Sequence, residues 1–266
     1  TLTGSASVVV NALPNTTITG PLNACAGSGN YVYSTEAGMN DYVWTVSSGG
    51  VIASGGTSTD NTITITWNTA GIQTVSVRYS TPQGCASASP ASQQVTVSSL
   101  PVPTLTGLVN VCKGATGITY ATQAGMTNYT WAVSSGGTIT SGGGSSNNSV
   151  TITWHTEGIQ NVSVNFTNSN GCTASTPTVV NVTVNNLAVP TLSGPTEVCA
   201  GTSGHVYTTE AGMSNYSWTV SAGGSITAGN NSTSNSITVK WNTSGAQTVS
   251  VNYANASGCA ASGATL

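Results

Sequence analysis

The residues of this chain best able to do chemistry are its six carboxylates: Glu36, Asp41, Asp60, Glu157, Glu197 and Glu210. Two acids at a suitable separation can run glycoside hydrolysis. Their spacing argues against that use. Only position 36 comes close to recurring, as Glu36, Gln123 and Glu210, and the amide in the middle favours turn support over proton transfer. Calcium needs several clustered oxygens, with Asp and Glu prominent. Asp60-Asn61 is too sparse, and its counterparts are Asn147-Asn148 and Ser234-Asn235. His155 and His205 stand in the places of Asn68 and Tyr31, so they share no site, and no Ser-His-Asp set recurs. The reading is no catalytic residue, no metal ligand and no cofactor.

The cysteines recur. They fall at Cys25 and Cys85, Cys112 and Cys172, Cys199 and Cys259, each pair 60 residues apart and each pair 87 residues from the next. Zinc takes four ligands, often with close Cys spacing, and each repeat offers two distant ones. One disulfide per repeat is the expectation: Cys25–Cys85, Cys112–Cys172 and Cys199–Cys259. A loop of that size gains about 4 kcal/mol in the chain-entropy model. The main rival joins neighbours, as Cys85–Cys112 and Cys172–Cys199. Disulfides place the protein outside the cytoplasm, at an extracellular or cell-surface location.

The elements that carry these residues repeat with the same period. Trp44, Trp131 and Trp218 form one series, and Trp67, Trp154 and Trp241 another. Side chains alternate across a strand, so Tyr42-Val-Trp44-Thr-Val46 turns Tyr, Trp and Val to one face. Ile63-Thr-Ile65-Thr-Trp67 and Val75-Ser-Val77-Arg-Tyr79 do likewise, and Val95-Thr-Val97 is the last strand. Gly, Asn and Ser runs separate them. Many short alternating strands split by such turns predict an all-β fold, a tandem array of three immunoglobulin-like antiparallel sandwiches. The six Trp could offer a platform for sugars, but their parity with Val and Ile assigns Trp44, Trp67, Trp131, Trp154, Trp218 and Trp241 to the core.

Composition narrows the partners. Charged residues are 3% of 266, with Arg78, Lys113 and Lys240 the only basic side chains and a net charge of −3. Nucleic-acid binding rests on Lys and Arg neutralising phosphates, so it is excluded, as is attraction to anionic membranes. No apolar stretch is long enough to span a bilayer as a helix.

The period divides the chain into residues 1–12, the last strand of a preceding module (Val8-Val9-Val10), then modules at 13–99, 100–186 and 187–266, the third lacking its final strand. Pro101 and Pro103 stiffen one link and Pro190 the other. Each module should be roughly 40 Å long, giving a rod on the order of 120 Å. The phase shift admits two expectations: an excerpt of a longer array, or donor-strand exchange in which residues 1–12 of one subunit complete module 3 of the next.

The pattern Cys25 … Tyr33 … Tyr42-Val-Trp44 … Gly49-Gly50 … Ile63-Thr-Ile65-Thr-Trp67 … Gly71 … Val75-Ser-Val77 … Gly84-Cys85 resembles the PKD-like and Ig-like repeats of large Bacteroidota cell-surface proteins, including adhesin-type and gliding-associated proteins exported by the type IX system. The likeness covers the whole chain. Each Trp here is followed by Thr, Ala or Asn or His, so the Trp-Asp-Phe-Gly-Asp-Gly signature of archetypal PKD domains is absent, and calcium or polysaccharide roles are not carried over. The resemblance implies spacers, stalks and adhesive filaments. The function expected is therefore a structural or adhesive segment of an extracellular filament or stalk, not an enzyme. Its main partner would be itself, with surface glycans a second class. A carbohydrate-binding array, or an accessory region of a secreted hydrolase, is the alternative.

Overall fold

The computed structural model describes residues 4–265. Its 19 strands fall into three sandwiches. In the first, β1 (Asn23–Cys25), β3 (Asn40–Val46), β6 (Gly71–Ser80) and β7 (Ala91–Ser98) form one sheet in the order β1-β7-β6-β3. The second sheet is β2-β5-β4, from β2 (Tyr31–Ser34), β4 (Gly50–Gly55) and β5 (Thr62–Trp67). All pairings are antiparallel except β1 with β7, which is parallel. This is the strand arrangement of an immunoglobulin-type sandwich.

The second sandwich repeats the plan. Its sheets are built from β8 (Asn110–Cys112), β9 (Ile118–Ala121), β10 (Thr127–Val133), β11 (Gly137–Gly142), β12 (Ser149–Trp154), β13 (Gly158–Thr167) and β14 (Thr178–Asn185). The third has β15 (His205–Thr208), β16 (Ser214–Val220), β17 (Gly224–Ala228), β18 (Ser236–Trp241) and β19 (Val249–Ala254). Its β19 is shorter than β6 and β13, and no strand corresponds to β1 or β8 among the described residues.

Alternation makes the cores. Along β5, Ile63, Ile65 and Trp67 are buried while the threonines between them face outward. Tyr42 and Trp44 of β3, Val75, Val77 and Tyr79 of β6, and Val95 and Val97 of β7 meet them from the facing sheet. Each such side chain contributes about 1.5–3 kcal/mol on burial. The expected core Trp positions are buried at Trp44, Trp67, Trp154, Trp218 and Trp241, while Trp131 is only partly buried. The indole N–H groups all find acceptors. Trp67, Trp154 and Trp241 donate to the hydroxyls of Tyr33, Tyr120 and Tyr207, and these donate onward to the carbonyls of Pro21, Leu108 and Pro195. A buried aromatic with a polar tip needs such a partner.

Val8-Val9-Val10, expected as the last strand of a preceding module, pairs with no described residue: residues 4–12 are exposed and outside any strand, and 1–3 lie outside the described residues. A strand without a hydrogen-bonding neighbour has nothing to hold it extended. Gly50 closes a turn, its N–H donating to Ser47 O at 3.0 Å, and also begins β4, an edge strand exposed along most of its length. A Cβ on Gly50 would lie 2.6 Å from the Trp67 ring, so glycine is needed there to let β4 close over the indole.

Candidate functional site: the joints between sandwiches

The cysteines converge between sandwiches rather than within them. The disulfides are Cys25–Cys172 and Cys112–Cys259, both with Cα–Cα 5.6 Å and both spanning 147 residues. The expected pairs Cys25–Cys85, Cys112–Cys172 and Cys199–Cys259 are therefore incorrect, as are the rival pairs Cys85–Cys112 and Cys172–Cys199. Cys85 and Cys199 are free.

Strand direction explains the correction. Cys25 ends β1, in register with Ser98 at the far end of β7. Cys85 sits in the β6–β7 hairpin, beside the Ser80–Ala86 bridge and before Ala91 begins β7. The two cysteines are thus separated by the length of β7, roughly 25 Å at about 3.3 Å per residue. A disulfide requires Cα atoms within about 7 Å. Cys25 lies at the end where the chain leaves for the second sandwich, and the hairpin holding Cys172 is the part of that sandwich that reaches back to it.

The hairpin is shaped for this reach. Asn168 Oδ1 accepts from the backbone N–H of Asn170 and Cys172, both at 3.0 Å. Gly171 adopts φ 79, a left-handed conformation natural to glycine. Asn168 Nδ2 then donates to the linker carbonyl of Ser99 at 3.4 Å. The next joint copies every element. Asn255 Oδ1 takes the N–H groups of Ser257 and Cys259, and its Nδ2 donates to Asn186 O at 2.8 Å. Cys172 and Cys259 are completely buried, whereas Cys85, at the same place in the first sandwich, is not.

The acids serve the turns. Glu36 accepts from the hydroxyls of Thr17, Thr35 and Tyr79. Burial pulls its carboxyl upward, but those hydrogen bonds outweigh it and bring it from 4.5 to about 2. Burial and then the Glu36 carboxylate push Tyr79 from 10.0 to about 12. Glu210 and Tyr253 repeat the pair, at about 2 and about 12. In the second sandwich the acid is Gln123 and the phenol is Phe166. The amide oxygen still accepts from the Thr104 N–H and the Thr122 hydroxyl, while Phe166 has no hydroxyl to supply the third bond that the carboxylates receive.

A folded carboxyl held below its unfolded value adds stability that is complete above about 4.5 and lost as pH falls toward about 2. The tyrosines act oppositely: their contribution is complete below about 10 and lost as pH rises through about 12. Glu36→Gln with Glu210→Gln should therefore flatten the acid side of a melting-temperature profile. The exposure of these groups limits the change to a few degrees. Calorimetry between pH 2 and 5 measures it, and an unchanged profile would count against these hydrogen bonds.

The remaining candidates stay apart. Asp41, Asn128 and Asn215 hold the left-handed backbone of a bulge, with φ near 55. Asp60 Oδ2 caps a turn at Thr57. Glu157 pairs with Lys113 in the open, a contact worth little to stability. Among the described residues no three His, Cys, Asp or Glu side chains gather as a metal site. None of the exposed large hydrophobic side chains is aromatic, so the sugar platform weighed for the Trp residues is turned inward.

Repeated immunoglobulin-type sandwiches with this motif spacing define a class of modular β proteins. The PKD-like domain family matches residues 11–95, 99–182 and 186–266, and the chain belongs to it. No curated protein matches. Among solved structures, the Escherichia coli adhesin FdeC is 14% identical, covering 97% of this chain and 98% of its own, at TM-score 0.36. Invasin, a bacterial integrin-binding protein, is 16% identical over 90% of this chain and 57% of its own, at 0.31. The fibronectin(III)-like modules of Clostridium thermocellum CbhA are 16% identical over 64% and 95%, at 0.33. Scores this low carry no argument about arrangement or role.

Proposed function

We propose that this chain is a non-catalytic, load-bearing segment of an extracellular stalk or filament, in which PKD-like modules are covalently stapled in series. The observation that carries the reading is the pair of cross-module disulfides. A disulfide inside one sandwich would protect that sandwich alone. Cys25–Cys172 and Cys112–Cys259 instead tie each module to the next beside the linker, so bending or pulling at a joint acts on a covalent bond as well as on a short peptide. Disulfides of this kind persist in oxidising compartments, which supports an extracellular location. The scarcity of charge supports side-by-side packing of threonine-rich faces with little repulsion. The finer likeness to type IX-exported surface proteins of Bacteroidota belongs to this proposal and rests on the sequence pattern.

Antibody raised against this segment should label intact cells or their shed material. Thiol alkylation without reduction should leave Cys25, Cys112, Cys172 and Cys259 unmodified. Antigen confined to the cytoplasm with all cysteines alkylated would overturn the reading.

A further inference from the structure

The sandwiches part company at one corner, between the bulge in β3 and the turn that joins β6 to β7. The second and third agree with each other there. Asn128 and Asn215 stand in the bulge, Asn165 and Asn252 on the strand opposite, and Ala174 and Ala261 after the turn. The first carries Asp41, Arg78 and Ser87 at those three places. Arg78 is the only arginine of the chain. Three differences far apart in sequence and adjacent in space point to one cause.

In the second and third sandwiches a carboxamide closes this corner from within. Asn165 Oδ1 accepts from the Phe166 N–H at 2.7 Å, and its Nδ2 donates to Ala174 O at 3.1 Å. Asn252 does the same with the Tyr253 N–H at 2.7 Å and Ala261 O at 3.4 Å, and also accepts from the Ala261 N–H. In the first sandwich Arg78 is exposed instead. A cleft of about 300 Å³ remains, lined by Asp41, Val43, Arg78, Tyr79, Ser80 and Ser87. That volume lies at the small end of the range for ligand sites.

The polar groups of the cleft are unused. Among the described residues, Asp41 and Arg78 make no side-chain hydrogen bond. They also form no ion pair, the one such pair within 4.0 Å being Lys113–Glu157. Nothing donates to Ser87 O there, and the Ser87 hydroxyl is covered and without a partner. Native proteins leave few buried hydroxyls in that state, and alanine at 174 and 261 shows that the fold does not need this one. A neighbouring sandwich does not close such a corner. Asn128, Thr130 and Thr173, the counterparts in the second sandwich, stay exposed although the first sandwich is stapled beside them.

We infer that this cleft receives a primary carboxamide, the side chain of an Asn or Gln on a second copy of this chain. The cleft offers acceptors in the Asp41 carboxylate and Ser87 O. It offers donors in the Arg78 guanidinium and in the Ser87 hydroxyl once turned about χ1. A primary amide presents two N–H donors and a carbonyl oxygen with two lone pairs, so each group finds a partner. A carboxylate would be repelled by Asp41 and an ammonium by Arg78, so the two charges together favour a neutral guest. Asn165 and Asn252 show that the backbone at this corner accepts such a group. The chain itself is the source, because it exposes carboxamides and hydroxyls and almost no charge. Asn68, Asn170, Asn181 and Asn230 are exposed, and their side chains bond nothing among the described residues. The contact is lateral. It adds to the stapled stalk a means of holding stalks side by side, and it does not depend on the staples.

The test uses the 266-residue chain carrying Cys85→Ser and Cys199→Ser, so that no thiol crosslink contributes. Sedimentation velocity should show reversible association that grows with concentration. Asp41→Asn with Arg78→Asn and Ser87→Ala gives the corner the residues on which the other two sandwiches fold. Asn128 and Asn215 already hold the backbone of Asp41, with φ 52 and 55. This triple variant should associate about tenfold more weakly or less, having lost two charge-assisted hydrogen bonds. Propionamide titrated into isotope-labelled protein should move the amide resonances of Asp41, Arg78 and Ser87, and should move none at those positions in the triple variant. A chain that stays monomeric at every concentration overturns the second copy as occupant, even where propionamide binds. Association unchanged in the triple variant, or resonances that respond to N-acetylglucosamine and not to propionamide, overturns the carboxamide cleft. Disulfide mapping of the same sample keeps the two readings apart. Cys25–Cys172 and Cys112–Cys259 present without association sink only this inference, and their absence sinks the stapled stalk itself.

Discussion

Pulled from its two ends under oxidising conditions, the chain should extend to only about a third of the length it reaches after reduction. The two disulfides interlock, because Cys112 lies inside the loop closed by Cys25–Cys172. Between the two staples three stretches of backbone run in parallel: 25–112, 112–172 and 172–259. The shortest of them limits the extension. With the outer tails added, the shortest covalent path is about 90 residues, roughly 330 Å when taut at about 3.6 Å per residue, against roughly 950 Å for the whole chain. Single-molecule force spectroscopy reads this as a missing contour length that reductant restores. Cys25→Ser should lengthen the taut path by about 30 residues, roughly 100 Å, since the tether then runs from the start of the chain through Cys112–Cys259. Cys85→Ser should change nothing. If Cys85 were paired with Cys25 inside one sandwich, losing it would release the whole segment between them, so an increase in the Cys85→Ser variant would reject the stapled arrangement.

Much of this was legible in the sequence, and the part that was not has a specific cause. Ile63-Thr-Ile65-Thr-Trp67 and Val75-Ser-Val77-Arg-Tyr79 announce half-buried strands because their period is 2 and one parity is apolar. The structure places those side chains in the core as the pattern requires. β4 was hidden because it lies exposed at an edge, where nothing selects for alternation. β1 was hidden because three residues are too few to show a period. The disulfides failed for a different reason. Equal spacing shows which cysteines are equivalent, and it is silent on which end of a sandwich each occupies. The missing step was direction: five strands, β2 to β6, run back and forth between Cys25 and Cys85, and an odd number of reversals leaves the two at opposite ends. Glu36 is the converse case. Its near-repeat, Glu36, Gln123 and Glu210, was visible, and so was the series Tyr79, Phe166 and Tyr253. Only the fold shows that the two series touch, and so why the amide and the phenylalanine occur together.

Cutting both staples should be the most damaging substitution that leaves every core side chain in place. Cys25→Ser with Cys112→Ser removes the two half-buried partners and keeps Cys172 and Cys259, whose sulfurs sit completely covered between sandwiches. Serine at the covered positions would add a buried hydroxyl and confuse the result. On the chain-entropy model a 147-residue loop is worth about 5 kcal/mol for the first staple closed. The second adds less, because the first already confines the chain between its ends. For units of this size guanidinium m-values are a few kcal/mol/M, so the midpoint of unfolding should fall by about 1–2 M. The loss should concentrate at the joints. The short parallel strands β1 and β8 end in the bonded cysteines, so amide exchange there should quicken more than in β5 or β12 at the sandwich centres. Cys85→Ser with Cys199→Ser is the matched control in monomeric protein, with the same number of cysteines removed and no staple lost. A midpoint that falls equally in the control would mean that cysteine loss as such is responsible. A fall confined to Cys25→Ser with Cys112→Ser assigns the stability to the joints, where a stalk under load would need it.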